Sequence, residues 1–170
     1  MTNRFVIIQG DITEQEVDAI VNAANNTLSG GGGVDGAIHE AAGPQLLAEC
    51  KQIGGCLTGH AKHTQGYNLP LKWIIHTVGP VWSGGTNHED ELLASCYRNV
   101  LALAVDLGVK TIAFPSISTG VYRFPVDRAA RIAVKEIADF LHKDRTIDKI
   151  IMVAFDADTY RAYNEAAKEI

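Results

Sequence analysis

The sequence predicts an α/β layered domain with a largely parallel central sheet. Three observations carry this. Short runs of branched or aromatic apolar residues alternate along the chain with longer segments of helical spacing. Several of those runs are apolar throughout, as in strands covered on both faces. No composition break, Pro/Ser-rich linker, repeat or low-complexity tract divides the 170 residues, so residues 1–170 read as a single domain.

In chain order, Arg4 to Gln9 reads as a strand through Phe5-Val6-Ile7-Ile8, closed by Gly10-Asp11. Ala19 to Asn22 is a second strand. A helix from Val34 or Gly36 to Ala42 follows, then another from Pro44 to Gln52. Ala61 to Gln65 reads as a third strand and Trp73 to Val78 as a fourth, ended by Gly79-Pro80. Glu91 to Leu107 repeats Leu92, Leu93, Cys96, Val100, Leu103 and Leu107 at helical spacing, and Gly108 stops it. Thr111 to Pro115 is a strand. Asp127 to His142 is a helix with one stripe through Ile132, Ala133, Ile137, Phe140 and Leu141. Lys149 to Phe155 is the last strand, and Asp158 to Ile170 the last helix. Ligands of such sheets sit beyond the carboxyl ends of the strands, which directs attention to the segments after Gln9, Asn22, Pro115 and Ala154.

Composition narrows the function. With 46% hydrophobic and 21% charged residues the chain suits a globular protein, and at this length it buries roughly 70% of its unfolded surface. A net charge of −5 argues against an electrostatic grip on duplex nucleic acid or an anionic membrane. No apolar stretch approaches a membrane span, and the start, Met1-Thr2-Asn3-Arg4, lacks a signal-peptide pattern. Cys50, Cys56 and Cys96 form an odd set without a Cys-x-x-Cys pair, so a reduced, cytoplasmic protein is expected, with neither disulfides nor a thiolate metal site. His60 and His63 read as a surface pair and His76 as a hydrogen-bonded core residue. No metal is expected.

Gly31-Gly32-Gly33-Val34-Asp35-Gly36 formally satisfies G-x-G-x-x-G, but eight residues, Ala23 to Gly30, separate it from the preceding strand. No strand ending in an acid follows about twenty residues on, and no Gly-Lys-Ser/Thr is present. A dinucleotide dehydrogenase and a Walker loop are thus disfavoured. A glycine run opening a helix still offers backbone N–H groups and a partial positive charge to a phosphate. Asp35 inside it reads either as a helix N-cap or as a base or water-positioning carboxylate. Asn22-Ala23-Ala24-Asn25-Asn26 reads as a turn or as amides orienting a ribose hydroxyl or a water. Asp11 caps a short turn or accepts from an exocyclic amine. Ser116 to Phe124, before the helix opened by Pro125, is a second loop suited to an anion but lacks the Gly-x-Ser-x-Gly elbow. Two such loops at strand ends suggest a diphosphate bridged between them.

Gly10-Asp11-Ile12-Thr13, Val21-Asn22-Ala23-Ala24-Asn25, Gly30 to His39, His76-Thr77-Val78-Gly79-Pro80 and Pro115 to Tyr122 together resemble the macrodomain family. More narrowly, they resemble its MacroD-type branch, with the bacterial O-acetyl-ADP-ribose deacetylases. The likeness runs over nearly the whole chain, and the block from Asn22 to His39 is its most specific part. It implies a three-layer α/β/α fold around a mixed, mostly parallel sheet of about six strands, with a cleft for ADP-ribose. By position, Asp11 and Ile12 would hold the adenine and Phe155 would stack on it. Gly32, Gly33 and Val34 would cradle one side of the diphosphate; Ser116, Ser118, Thr119, Gly120, Val121 and Tyr122 would close over the other. Asn22 would lie in the ligand site, and Asn25 and Asp35 would form the catalytic pair beside the distal ribose.

The implied reaction is hydrolysis of an ester on that ribose, either in O-acetyl-ADP-ribose or in proteins carrying mono-ADP-ribose on acidic side chains. It needs no cofactor, and a monomer is expected. The competing reading is a module that binds ADP-ribose without cleaving it. The resemblance implies a small residue after the tyrosine, where this chain has Arg123, and no role is assigned to this arginine.

Overall fold

The computed structural model describes residues 3–170. Its six strands are β1 (Phe5–Gln9), β2 (Ala19–Ala23), β3 (Ala61–Gln65), β4 (Trp73–Thr77), β5 (Thr111–Phe114) and β6 (Lys149–Ala154). They form one sheet in the order β1-β6-β5-β2-β4-β3, parallel at every pairing except β3 with β4. The five helices are α1 (Gly33–Ala42), α2 (Pro44–Ile53), α3 (Glu89–Asp106), α4 (Val126–Lys143) and α5 (Ala157–Lys168), with a 3-10 turn at Ile12–Glu14.

Alternation along the strands builds two cores. Ala19, Val21, Ile75, Ile112 and Phe114 face one side and pack with the buried stripes of α3, α4 and α5. Ile20, Ile74 and Ala113 face the other and pack with Ile38 and Ala42 of α1 and Leu46 and Cys50 of α2. The architecture is therefore the expected three-layer α/β/α arrangement.

Helix ends follow local chemistry. Pro44 opens α2 and Gly54, left-handed at φ 86°, closes it. Asp156 caps α5 by accepting from the Thr159 N–H at 2.8 Å. The ends differ from the sequence reading by one or two residues in most elements. The difference that matters is at α1, which starts at Gly33, inside the glycine run. Gly33 has φ 58°, a conformation that a residue with a β-carbon adopts only under strain.

The central neighbours β2 and β5 send their chains to opposite faces, β2 to α1 and β5 to α4. Parallel strands that diverge in this way leave a crevice beyond their carboxyl ends.

Candidate functional site

A cleft of about 440 Å³ occupies that crevice. Of the residues singled out in the sequence, Asn25, Gly32, Gly33, Val34, Asp35, Ser116, Ser118, Gly120, Val121 and Tyr122 line it. Ala23, Ala24, Gly31 and Gly79 also line it and were not singled out as site residues. Asn22, Asp11, Ile12, Thr119 and Phe155 are not among its lining residues.

Two segments whose backbone donors are not used within the described residues border it. Gly32 caps α1 with no side chain bonded to the first turn, so the N–H groups of Gly33, Val34 and Asp35 lack an intrahelical partner. In the loop after β5, the N–H groups of Ser118 to Tyr122 donate to no group among the described residues. That loop is braced from within: Arg123 N donates to Gly120 O, and Phe124 N to Ser118 O, both at 2.9 Å. The Ser116 hydroxyl is engaged with Thr119 Oγ1 at 2.7 Å and with Tyr163 Oη at 2.9 Å. The loop thus presents chiefly backbone N–H groups, whereas the hydroxyls of Ser116 and Thr119 hold its shape. Ser118 is the exception. Its hydroxyl is buried without a partner among the described residues, at φ 68°.

Asp35 is not the helix cap. It is the third residue of α1, 6% exposed, and Asn22 at the end of β2 donates to its Oδ1 at 2.8 Å. His39, one turn on, places Nε2 3.4 Å from the same oxygen. The other oxygen, Oδ2, lies toward Gly31: a β-carbon there would stand 3.3 Å from Oδ2 and 3.8 Å from Asn25 Nδ2. Both polar atoms therefore converge on one spot in the cleft. Asn25 also organises its own loop, donating to Gly30 O at 2.8 Å and accepting from the Ser29 N–H at 3.1 Å.

Gly36 makes this packing possible, because a β-carbon on it would lie 2.5 Å from Gly31 O. Burial, with the nearby Asp35 and Glu49 carboxylates adding to it, pushes the Cys50 thiol up to about 11; burial raises Cys56 as well. Neither is a thiolate nucleophile at neutral pH.

Around the crevice, Asp11 accepts from the N–H and the hydroxyl of Thr13 at 2.9 and 2.7 Å, so Oδ1 caps the 3-10 turn. Its Oδ2 bonds no group among the described residues. The Ile12 side chain is in the core beneath. Phe155, just past β6, is 79% exposed and Val121 is 92% exposed. Arg123 is exposed, at φ 63°. His63 packs edge-on against Trp73 with ring centroids 5.2 Å apart. Among the described residues no cluster of three or more His, Cys, Asp or Glu could hold a metal, and no helix is long and apolar enough to cross a membrane.

The family model named Macro domain matches residues 21–133. The chain belongs to the macro domain family. A macro domain-containing protein of Methanosarcina mazei is 59% identical over 168 residues, 99% of this chain and 90% of its own length. A protein of Escherichia fergusonii named O-acetyl-ADP-ribose deacetylase is 53% identical over 168 residues, 96% of this chain and 95% of its own. A substituted form of the Oceanobacillus iheyensis macrodomain, solved with ADP-ribose, superposes with a TM-score of 0.92 at 45% identity, covering 96% of this chain and 91% of that one. These relatives are consistent with the MacroD-type branch to which the motifs point. In this macro domain, the glycine run, Asn25, Asp35 and the loop after β5 come together in one cleft.

Proposed function

We propose that the protein is an ADP-ribose-binding hydrolase that cleaves esters on the distal ribose. It would deacetylate O-acetyl-ADP-ribose and remove mono-ADP-ribose from acidic side chains of proteins. The observation that carries this is the convergence of Asp35 Oδ2 and Asn25 Nδ2 beside Gly31, in the cleft that the two donor segments border. The name of the Escherichia fergusonii relative supports the first substrate, and the Oceanobacillus iheyensis complex supports binding of ADP-ribose.

The diphosphate lies between the first turn of α1 and the loop from Ser116 to Tyr122, met by N–H groups of Gly32, Gly33 and Val34 on one side and of Ser118 to Tyr122 on the other. No lysine is needed, so a net charge of −5 is no obstacle. The adenine sits at the end formed by β1 and β6, where Asp11 Oδ2 accepts from its exocyclic amine, the Ile12 backbone borders it and Phe155 stacks on it. The distal ribose then reaches Asn25 and Asp35, with Asn22 behind them.

Asn25 holds the ribose hydroxyls. Asp35, or a phosphate oxygen of the ligand, takes a proton from a water whose oxygen attacks the ester carbonyl carbon. The bond from that carbon to the ribose oxygen breaks, the proton passes to the ribose oxygen, and a carboxylic acid leaves. Positioning by the two loops contributes the rest.

The test is incubation with O-acetyl-ADP-ribose and with glutamate-linked mono-ADP-ribosyl protein, beside Asp35→Ala and Asn25→Ala. Product release that falls steeply in both variants is expected. Tight ADP-ribose binding with no turnover of either substrate would leave a binding module instead.

A further inference from the structure

His76 sits in β4 opposite Asn22 in β2, and both are completely buried. The Asn22 amide nitrogen uses its two protons on two acceptors, Asp35 Oδ1 at 2.8 Å and His76 Nδ1 at 3.0 Å. For His76 Nδ1 to accept, the proton of the neutral ring must be on Nε2. Nε2 lies 2.9 Å from Thr64 Oγ1 in β3, and that hydroxyl donates onward to Gln65 O at 3.2 Å. A directed chain thus runs from the edge strand to the cleft: Thr64 takes the ring proton, His76 takes an Asn22 proton, and Asn22 gives its other to Asp35.

The carboxylate and the ring together supply the direction. Turned over, the Asn22 amide would set its oxygen against a carboxylate and against the unprotonated Nδ1, acceptor facing acceptor. Burial, followed by the influence of His39 and His63, holds His76 at about 3, so the ring is neutral at ordinary pH, and with its one proton on Nε2 toward Thr64 it leaves Nδ1 as an acceptor.

We propose that His76 is a positioning residue for hydrolysis: its Nδ1 fixes the Asn22 amide, and through it the angle at which Asp35 presents Oδ2 beside Gly31. His76 itself lies outside the cleft lining. The proposal rests on the reading of Asp35 as the hydrolytic carboxylate.

His76→Asn keeps an acceptor oxygen near the place of Nδ1, whereas His76→Leu removes it; both lose the contact with Thr64. Hydrolysis of O-acetyl-ADP-ribose and calorimetric binding of ADP-ribose are measured for each. The Leu variant is expected to lose kcat on the order of tenfold while KM and the ADP-ribose Kd stay within about twofold. The Asn variant should recover most of kcat, and the Leu effect should vanish in an Asn22→Leu background. Equal loss in the Leu and Asn variants, a full effect without Asn22, or binding lost in step with kcat overturns the proposal. If the wild type binds without turnover, the hydrolase reading fails instead. The orientation is then read directly by nitrogen-15 spectra of the wild-type imidazole, where an Nδ1–H tautomer of His76 overturns it and an Nε2–H tautomer that is lost or remodelled in Asn22→Leu supports it.

Discussion

Tyr163 Oη lies 2.9 Å from Ser116 Oγ, so the last helix anchors the first residue of the loop over the cleft. Tyr163 is completely buried, and its ring belongs to the core shared by α3, α4 and α5. The rest of the loop is held by turns of its own, by the close packing of Gly79 on Ser118 and by the Trp82 N–H on Tyr122 O.

Tyr163→Phe should therefore act at a distance. The phenyl ring keeps the packing and removes one partner of Ser116, which retains Thr119 at 2.7 Å. A stability loss of about 1 kcal/mol in urea is expected. Calorimetry should show weakened ADP-ribose binding, and Ser116→Ala, which cuts this tie and the one to Thr119 as well, should weaken it further, with the double variant falling short of the sum because the Tyr163 tie is shared.

Gly79→Ala probes a second support of this loop. A β-carbon there would stand inside the contact distance of Ser118 Oγ and 2.7 Å from Ile117 Cγ2. Ser118 is buried at φ 68° and has little room to yield. The loop must move, so ADP-ribose affinity should fall by about tenfold or more, with a smaller change in melting temperature. Unchanged affinity would show that the donors of Ser118 to Tyr122 do not meet the ligand.

Phe155 offers the opposite balance. At 79% exposure its removal should leave stability within about 0.5 kcal/mol. Base stacking on an aromatic ring contributes roughly 1–3 kcal/mol, so Phe155→Ala should weaken ADP-ribose binding several-fold or more. Ribose 5-phosphate, which has no adenine, should bind both proteins alike.

The sequence made the strands, the helices and both anion loops legible because each depends on local pattern: apolar runs, helical stripes, and glycine or hydroxyl clusters at strand ends. Asp35 shows the boundary. From its neighbours it is a plausible cap, and only the docking of α1 against β2 puts Asn22 on its Oδ1. Gly79 reads as a simple strand stop until β4 and the loop after β5 are brought together. His76 and Thr64 meet through an antiparallel pairing of β3 with β4, and strand order does not follow from alternating periodicity. The tie of Tyr163 to Ser116 joins residues 47 apart in the chain and has no local signal.

The edge of the cleft also carries an acid-sensitive support. Trp82 N donates to Tyr122 O at 2.8 Å, and Glu89 braces the segment that follows Trp82. Burial alone would raise the Glu89 carboxyl, yet the N–H groups of Ser83, Gly85 and Asn87 outweigh it and bring it down to about 2 from an ordinary 4.5. A carboxyl depressed on folding leaves the unfolded chain binding more protons than the folded one between those two values, so this contribution to stability is full above pH 4.5 and is lost as pH falls toward 2. Glu89→Gln keeps the shape and removes the charge. Urea midpoints measured from pH 7 to 2 should be lower for the variant at neutral pH and converge with the wild type at the acid end. A constant gap across that range would mean that the charge of Glu89 does not support the segment after Trp82.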